Sequence, residues 1–88
     1  MSSNFGTRPV DWEKYALVYA GAQKNLGPSG VCVVIVREDF IGKQRADTPT
    51  MFSYKTHNDA PNQFFNTPAC YPIYVMGLNI AHMKEKGL

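Results

Sequence analysis

Two short apolar runs stand out from an otherwise mixed chain: "ALVYA" at Ala16 to Ala20 and "VCVVIV" at Val31 to Val36. Continuous apolar runs of this length, the second rich in β-branched residues, predict strands buried on both faces. The preceding "MSSNFGTRPVDWEKY" has no periodic apolar face, and Gly6 and Pro9 leave room for only a short turn around Asp11 to Lys14. After Val36 the charges of "REDFIGK" end the second strand, with at most one helical turn. A long polar loop from Gln44 to Gln63 follows, its period broken by Pro49, Asn58, Asp59 and Pro61. Structureless connections of that length inside a compact domain are usually functional or in contact with a partner.

The last segment reads as a helix. Thr67 is an N-cap candidate with Pro68 at the first helical position, and Gly87 is a stop signal after Lys84 and Lys86, which suit the negative end of the helix dipole. Pro72 would strain the second turn of such a helix, so its regular part is expected to start later than Pro68. Ala69, Ile73, Met76, Gly77 and Ile80 share one stripe, and Tyr71, Tyr74, Val75 and Leu78 fill much of the remaining surface. Two strands and one helix cannot cover a doubly buried strand. The pattern therefore describes part of an α/β fold, completed by a larger domain or by self-association.

Composition narrows the picture further. Eighty-eight residues make one domain at most, and a chain of this size buries only about 60 to 65% of its unfolded surface. A net charge of +2, with Lys and Arg scattered, gives no electrostatic footprint for nucleic acid, and no run is long and apolar enough for a membrane span. Cys32 and Cys70 lack metal-type spacing and sit in apolar surroundings, which reads as inert core thiols in a reduced intracellular compartment. No metal site is expected.

The chemistry-bearing stretch is "AGAQKNLGPSG", from Ala20 to Gly30, between the two strands. A lysine in a desolvated pocket loses part of its preference for the ammonium form, and its amine can then attack a carbonyl to form a Schiff base. Gly21 and Ala22 would let a planar ligand approach, while Gly27, Pro28 and Gly30 shape a tight return into the next strand. From the residues alone, a lone lysine in a glycine-containing turn is more often a solvated loop residue. The spacing does not suit a nucleotide-binding P-loop, which needs Gly-Lys-Ser/Thr opening a helix.

The run "VYAGAQKNLGPSGVCVVIVRED" resembles the pyridoxal-phosphate lysine segment of the phosphoserine aminotransferase family, and the likeness continues in order along the chain through "SSNF", "RPVDWEKY", "TPTMFSYKTHND" and "FFNTPACYPIYVMGL". That resemblance implies a piece of the large, cofactor-binding domain of a fold-type I enzyme, spanning residues 1–88. It implies that Lys24 is the catalytic residue, forming the Schiff base with pyridoxal 5'-phosphate and shuttling protons, and that Gln23 lies beside the cofactor. An amide capping backbone groups is the lesser alternative for Gln23.

The same resemblance implies that Asn66 and Thr67 reach the cofactor phosphate of the neighbouring subunit. A plain N-cap is compatible with that role for Thr67. The parent enzyme would exchange an amino group between phosphoserine and 2-oxoglutarate, giving 3-phosphohydroxypyruvate and glutamate. It would be a cytoplasmic homodimer of serine biosynthesis, with small-molecule substrates and no nucleic-acid or membrane partner. The alternative is a non-catalytic fragment that only folds or self-associates.

The family has two prolines after its Asn-Thr pair, whereas Ala69 follows Pro68 here and a proline is displaced to Pro72. The family's aspartate that keeps the pyridine nitrogen protonated would stand immediately before the position of Met1, so these residues alone are expected to be inactive. His57 and His82 match no catalytic motif and read as surface or interface residues. Trp12 is expected to pack on the strand layer.

Overall fold

A computed structural model describes residues 1–87. It divides the chain into two compact units, Met1–Ile35 with Ala69–Leu88, and Val36–Pro68.

The first unit holds strand β1, Leu17–Gly21, and most of strand β2, Cys32–Val36, hydrogen-bonded to each other as a two-stranded sheet. The Ala22 amide donates to the Val31 carbonyl at 3.0 Å, joining the end of one strand to the approach of the next, as an antiparallel hairpin requires. On the other edge of β1, the Met1 amine donates to the Tyr19 carbonyl at 2.6 Å and the Gly21 amide donates to the Met1 carbonyl at 3.1 Å. Met1 thus lies beside Ala20 in the pattern of a parallel ladder.

Both expected strands form, so the α/β reading holds, but their burial is corrected. Within β1 only Ala20 is fully buried, and Tyr19, Val34 and Ile35 stand exposed. The physical reason is cover. Among the described residues the buried apolar side chains are Ala20, Ala22 and Leu26, so this unit's core lies at the hairpin end and not across the sheet faces. The thiols of Cys32 and Cys70 are likewise exposed rather than core groups. Trp12 lies in a 3-10 turn over Trp12–Lys14, as the short-turn reading anticipates, but it is about half exposed and tilts toward Phe5, with ring centroids 6.4 Å apart.

Helix α2 runs Cys70–Lys86 and ends where expected, at Gly87 in the left-handed conformation that a Cβ disfavours, with the Gly87 amide bonded back to the Lys84 carbonyl at 3.1 Å. Its start is corrected. Ala69, with ψ of 85°, is the N-cap residue and makes no side-chain cap, so Thr67 is not the cap. Starting at Cys70 places Pro72 in the first turn, where backbone N–H groups have no intrahelical acceptor and a missing donor costs nothing. The Ile73 amide makes the first long bond, to the Ala69 carbonyl at 3.1 Å.

The packed face of α2 is also displaced from the expected stripe. Side chains begun at Gly30, Gly27 and Gly6 would meet Pro72 Cγ at 3.4 Å, Met76 Cα at 3.2 Å and Met83 Sδ at 3.4 Å, and Asn79 bonds the same hairpin. Pro72, Met76, Asn79 and Met83 recur at helical spacing and form one face. Gly77 and Ile80, placed on the stripe by hydropathy, are exposed, as are Tyr71, Tyr74 and Leu78.

In the second unit the long loop is not structureless. It contains 3-10 turns at Thr50–Phe52 and Pro61–Gln63 and a short helix α1, Tyr54–Asp59, while the 3-10 turn before it, Glu38–Phe40, is the one turn expected in "REDFIGK". Pro49 and Pro61 flank or open these short elements instead of abolishing them, because a proline in a first turn forfeits no bond. Ser53 is buried beneath the start of α1. The His57 ring donates from Nε2 to the Met51 carbonyl at 3.0 Å and stands edge-on to Phe65.

Candidate functional site

Lys24 sits near the middle of a turn closed by the Gly27 amide, which donates to the Ala22 carbonyl at 2.7 Å. Every residue around it is tied down. The Gln23 amide nitrogen donates to the Ser2 carbonyl at 3.2 Å, and the Asn25 amide nitrogen donates to the Phe5 carbonyl at 2.8 Å, so the Met1–Phe5 segment runs along β1 and onto the turn. From the other side, Asn79 Nδ2 donates to the carbonyls of Asn25 at 2.8 Å and Leu26 at 2.9 Å. Leu26 is buried and anchors the turn from within.

The Lys24 side chain itself is exposed, and it forms no ion pair among the described residues. The desolvating pocket expected around it is not built from these residues. A cleft of about 510 Å³ opens farther down β1, lined by Arg8, Asp11, Tyr15, Leu17 and Tyr19 among others, but neither Gln23 nor Lys24 lines it. What the turn provides is a fixed backbone carrying an unencumbered primary amine. Gln23 folds back so that its Oε1 fills the space beside Gly21, 2.1 Å from where a side chain there would begin. The Gln23 amide thus caps the Ser2 carbonyl in this chain.

Asn66 and Thr67 belong to the second unit, where both are exposed and the Asn66 amide nitrogen donates to the Thr67 carbonyl at 3.3 Å. Their exposed amide and hydroxyl are donors suited to an anion. Each unit taken by itself offers chemistry that a phosphorylated aldehyde could use: a primary amine suits a carbonyl in the first, and neutral donors suit a phosphate in the second.

Strong electrostatic pairs lie elsewhere, in the second unit. The Arg37 guanidinium grips Asp39 through two hydrogen bonds at 3.0 and 2.6 Å, which hold the carboxyl below its usual range and push the guanidinium up. Asp59 is lowered by its hydrogen bond from Lys55. Among the described residues no group of three or more His, Cys, Asp and Glu side chains could hold a metal ion.

Sequence reasoning passed over Asn25 and Asn79. The available signal for Asn79 was a polar residue inside the apolar run "VMGLNIA", which on a packed helix face must find partners.

The model of the family described as aminotransferase class-V matches residues 1–88. The phosphoserine aminotransferase of Chromobacterium violaceum is 53% identical over 87 residues, covering 99% of this chain and 24% of that protein. Among solved structures, phosphoserine aminotransferase from Bacillus circulans subsp. alkalophilus superposes with a TM-score of 0.89 at 47% identity, covering 99% of this chain and 24% of its own. A pyridoxal-phosphate-bound phosphoserine aminotransferase from Trichomonas vaginalis gives 0.86 at 37% identity, with 99% and 24% covered. The chain thus spans about a quarter of the length of the relatives it matches.

Proposed function

The chain belongs to the aminotransferase class-V family, and we propose that it is a segment of the large, cofactor-binding domain of a phosphoserine aminotransferase. The parent enzyme exchanges an amino group between phosphoserine and 2-oxoglutarate, giving 3-phosphohydroxypyruvate and glutamate, in serine biosynthesis. Support comes from relatives of that name along the whole chain and from one local observation: an exposed amine, Lys24, on a turn whose backbone is bonded on both sides.

Pyridoxal phosphate, when bound, supplies a carbonyl that exchanges amines and a ring that withdraws electrons from the substrate carbon. Lys24 would hold it through Nζ, and the same amine, once free, would carry the proton. Gln23 would lie beside it, and Asn66 and Thr67 would donate, from amide and hydroxyl, to the phosphate held by the neighbouring subunit of a homodimer. Residues outside this chain complete the pocket that excludes water from Lys24. A cytoplasmic location belongs to the same reading; no helix among the described residues is long and apolar enough to cross a membrane.

The assay is transamination by the full-length enzyme with Lys24→Arg, which keeps charge and length but not the reactive amine. Loss of about a hundred- to ten-thousandfold in kcat is expected for removal of a proton carrier. A variant within a few fold of the unmodified enzyme would remove Lys24 from the chemistry.

A second reading concerns the chain by itself: a non-catalytic fragment that folds and self-associates. The exposed Val34 and Ile35 on β2 and Tyr71, Tyr74 and Leu78 on α2 favour it, since these faces remain uncovered within the chain.

A further inference from the structure

We propose that Asn79 is a positioning residue for Lys24, acting through the backbone of the lysine's own turn; this rests on the assignment of Lys24 as the cofactor-holding amine. One nitrogen, Asn79 Nδ2, uses both of its hydrogens on consecutive carbonyls, those of Asn25 and Leu26. These are the first and second residues after Lys24. The two bonds fix two successive peptide planes, and with them the direction in which the Lys24 side chain leaves the turn.

The contact reaches across more than 50 positions of sequence, so it couples the lysine turn to helix α2. Neighbouring contacts make it directional. Met76, one turn earlier, lies against Gly27, and Met83, one turn later, lies against Gly6, so the helix cannot slide along the turn without losing both. On the opposite side Asn25 is tied to Phe5, and Gln23 to Ser2. The lysine backbone is therefore clamped between the helix and the Met1–Phe5 segment, while its amine stays unpaired among the described residues. Holding a reacting group within a fraction of an ångström of its working geometry is how such supporting contacts aid chemistry.

The test uses the full-length enzyme in three variants. Asn79→Leu and Asn79→Asp each remove both donors, and Asn79→Gln keeps a donor amide. Each is incubated with pyridoxal phosphate, reduced with borohydride and mapped by mass, and amide hydrogen exchange is followed in parallel. The unmodified enzyme carries the label at Lys24. In the Leu and Asp variants the apparent affinity for labelling at Lys24 falls about tenfold, as expected for two lost hydrogen bonds, and Gln restores part of it.

Exchange speeds up over Ala22–Gly27 while β1 and β2 keep their protection. Equal labelling at Lys24 in all four proteins would overturn the inference. So would exchange that rises uniformly over the hairpin and α2 in the Leu and Asp variants, since Asn79 would then be a general support. If the unmodified enzyme shows no preference for Lys24, the assignment of the lysine fails first, and the inference that depends on it falls with it.

Discussion

Gly27 lies so close to helix α2 that a side chain begun there would stand 3.2 Å from Met76 Cα, a backbone atom with no freedom to turn aside. This approach seats the Lys24 turn on the helix. Gly27→Ala should push the two apart and lower stability by about 1–3 kcal/mol, the range for overpacking. Denaturant unfolding followed by helix signal measures it, and an alanine variant as stable as the original would mean the helix gives way freely.

Asn25 ties the same turn to the N-terminal segment through its 2.8 Å bond to Phe5 O, in a partly buried setting. Asn25→Ala should cost about 1 kcal/mol and leave the Met1–Phe5 amides exchanging faster. Unchanged exchange there would show that the segment is held by its ladder beside Ala20 alone.

Acid should act first on the second unit. Asp39 and Asp59 are held below the usual carboxylate range, by hydrogen bonds from Arg37 and Lys55 respectively. As pH falls, the unfolded chain takes up protons on these groups before the folded chain does. Their stabilisation is thus present above the ordinary carboxylate value and is lost as pH drops through it toward the lowered folded values. Both pairs are exposed, so the loss is small and salt-sensitive. NMR titration of the two carboxyls checks this; midpoints at or above the ordinary value for an aspartate would contradict it.

The uncovered faces should drive the isolated chain to associate. Sedimentation at rising concentration should show oligomers, reduced by Val34→Lys on the exposed surface of β2. A strictly monomeric chain would count against the self-associating reading.

Several of these features were legible in the sequence, and others could not be. The end of α2 was, because Gly87 and the lysines before it are local signals whose meaning needs no partner. Its start was not: Thr67 looks like a cap, yet Ala69 takes that place without any side-chain bond, and Pro72 then falls harmlessly in the first turn. Both strands were visible in "ALVYA" and "VCVVIV", but an apolar run reports what a strand covers in a complete domain, not what these residues cover by themselves.

The packed face of α2 escaped hydropathy because it uses a proline ring and the amide of Asn79, and because three glycines, Gly6, Gly27 and Gly30, lie opposite it. Lys24 and Gln23 were legible only through resemblance. Composition left Lys24 indistinguishable from a solvated loop lysine, and the structure indeed exposes it; the bonded turn beneath it sets it apart.

Lys24→Ala should leave stability within about 0.5 kcal/mol, as for an exposed side chain free of ion pairs among the described residues. That makes it a clean control for the decisive measurement, the absorbance of the full-length apoenzyme during titration with pyridoxal phosphate. A saturable band from covalent attachment, absent in Lys24→Ala, is the expected result. Attachment that is weak, non-saturating and unchanged in Lys24→Ala, with the label spread over Lys14, Lys43, Lys55, Lys84 and Lys86, would contradict the assignment.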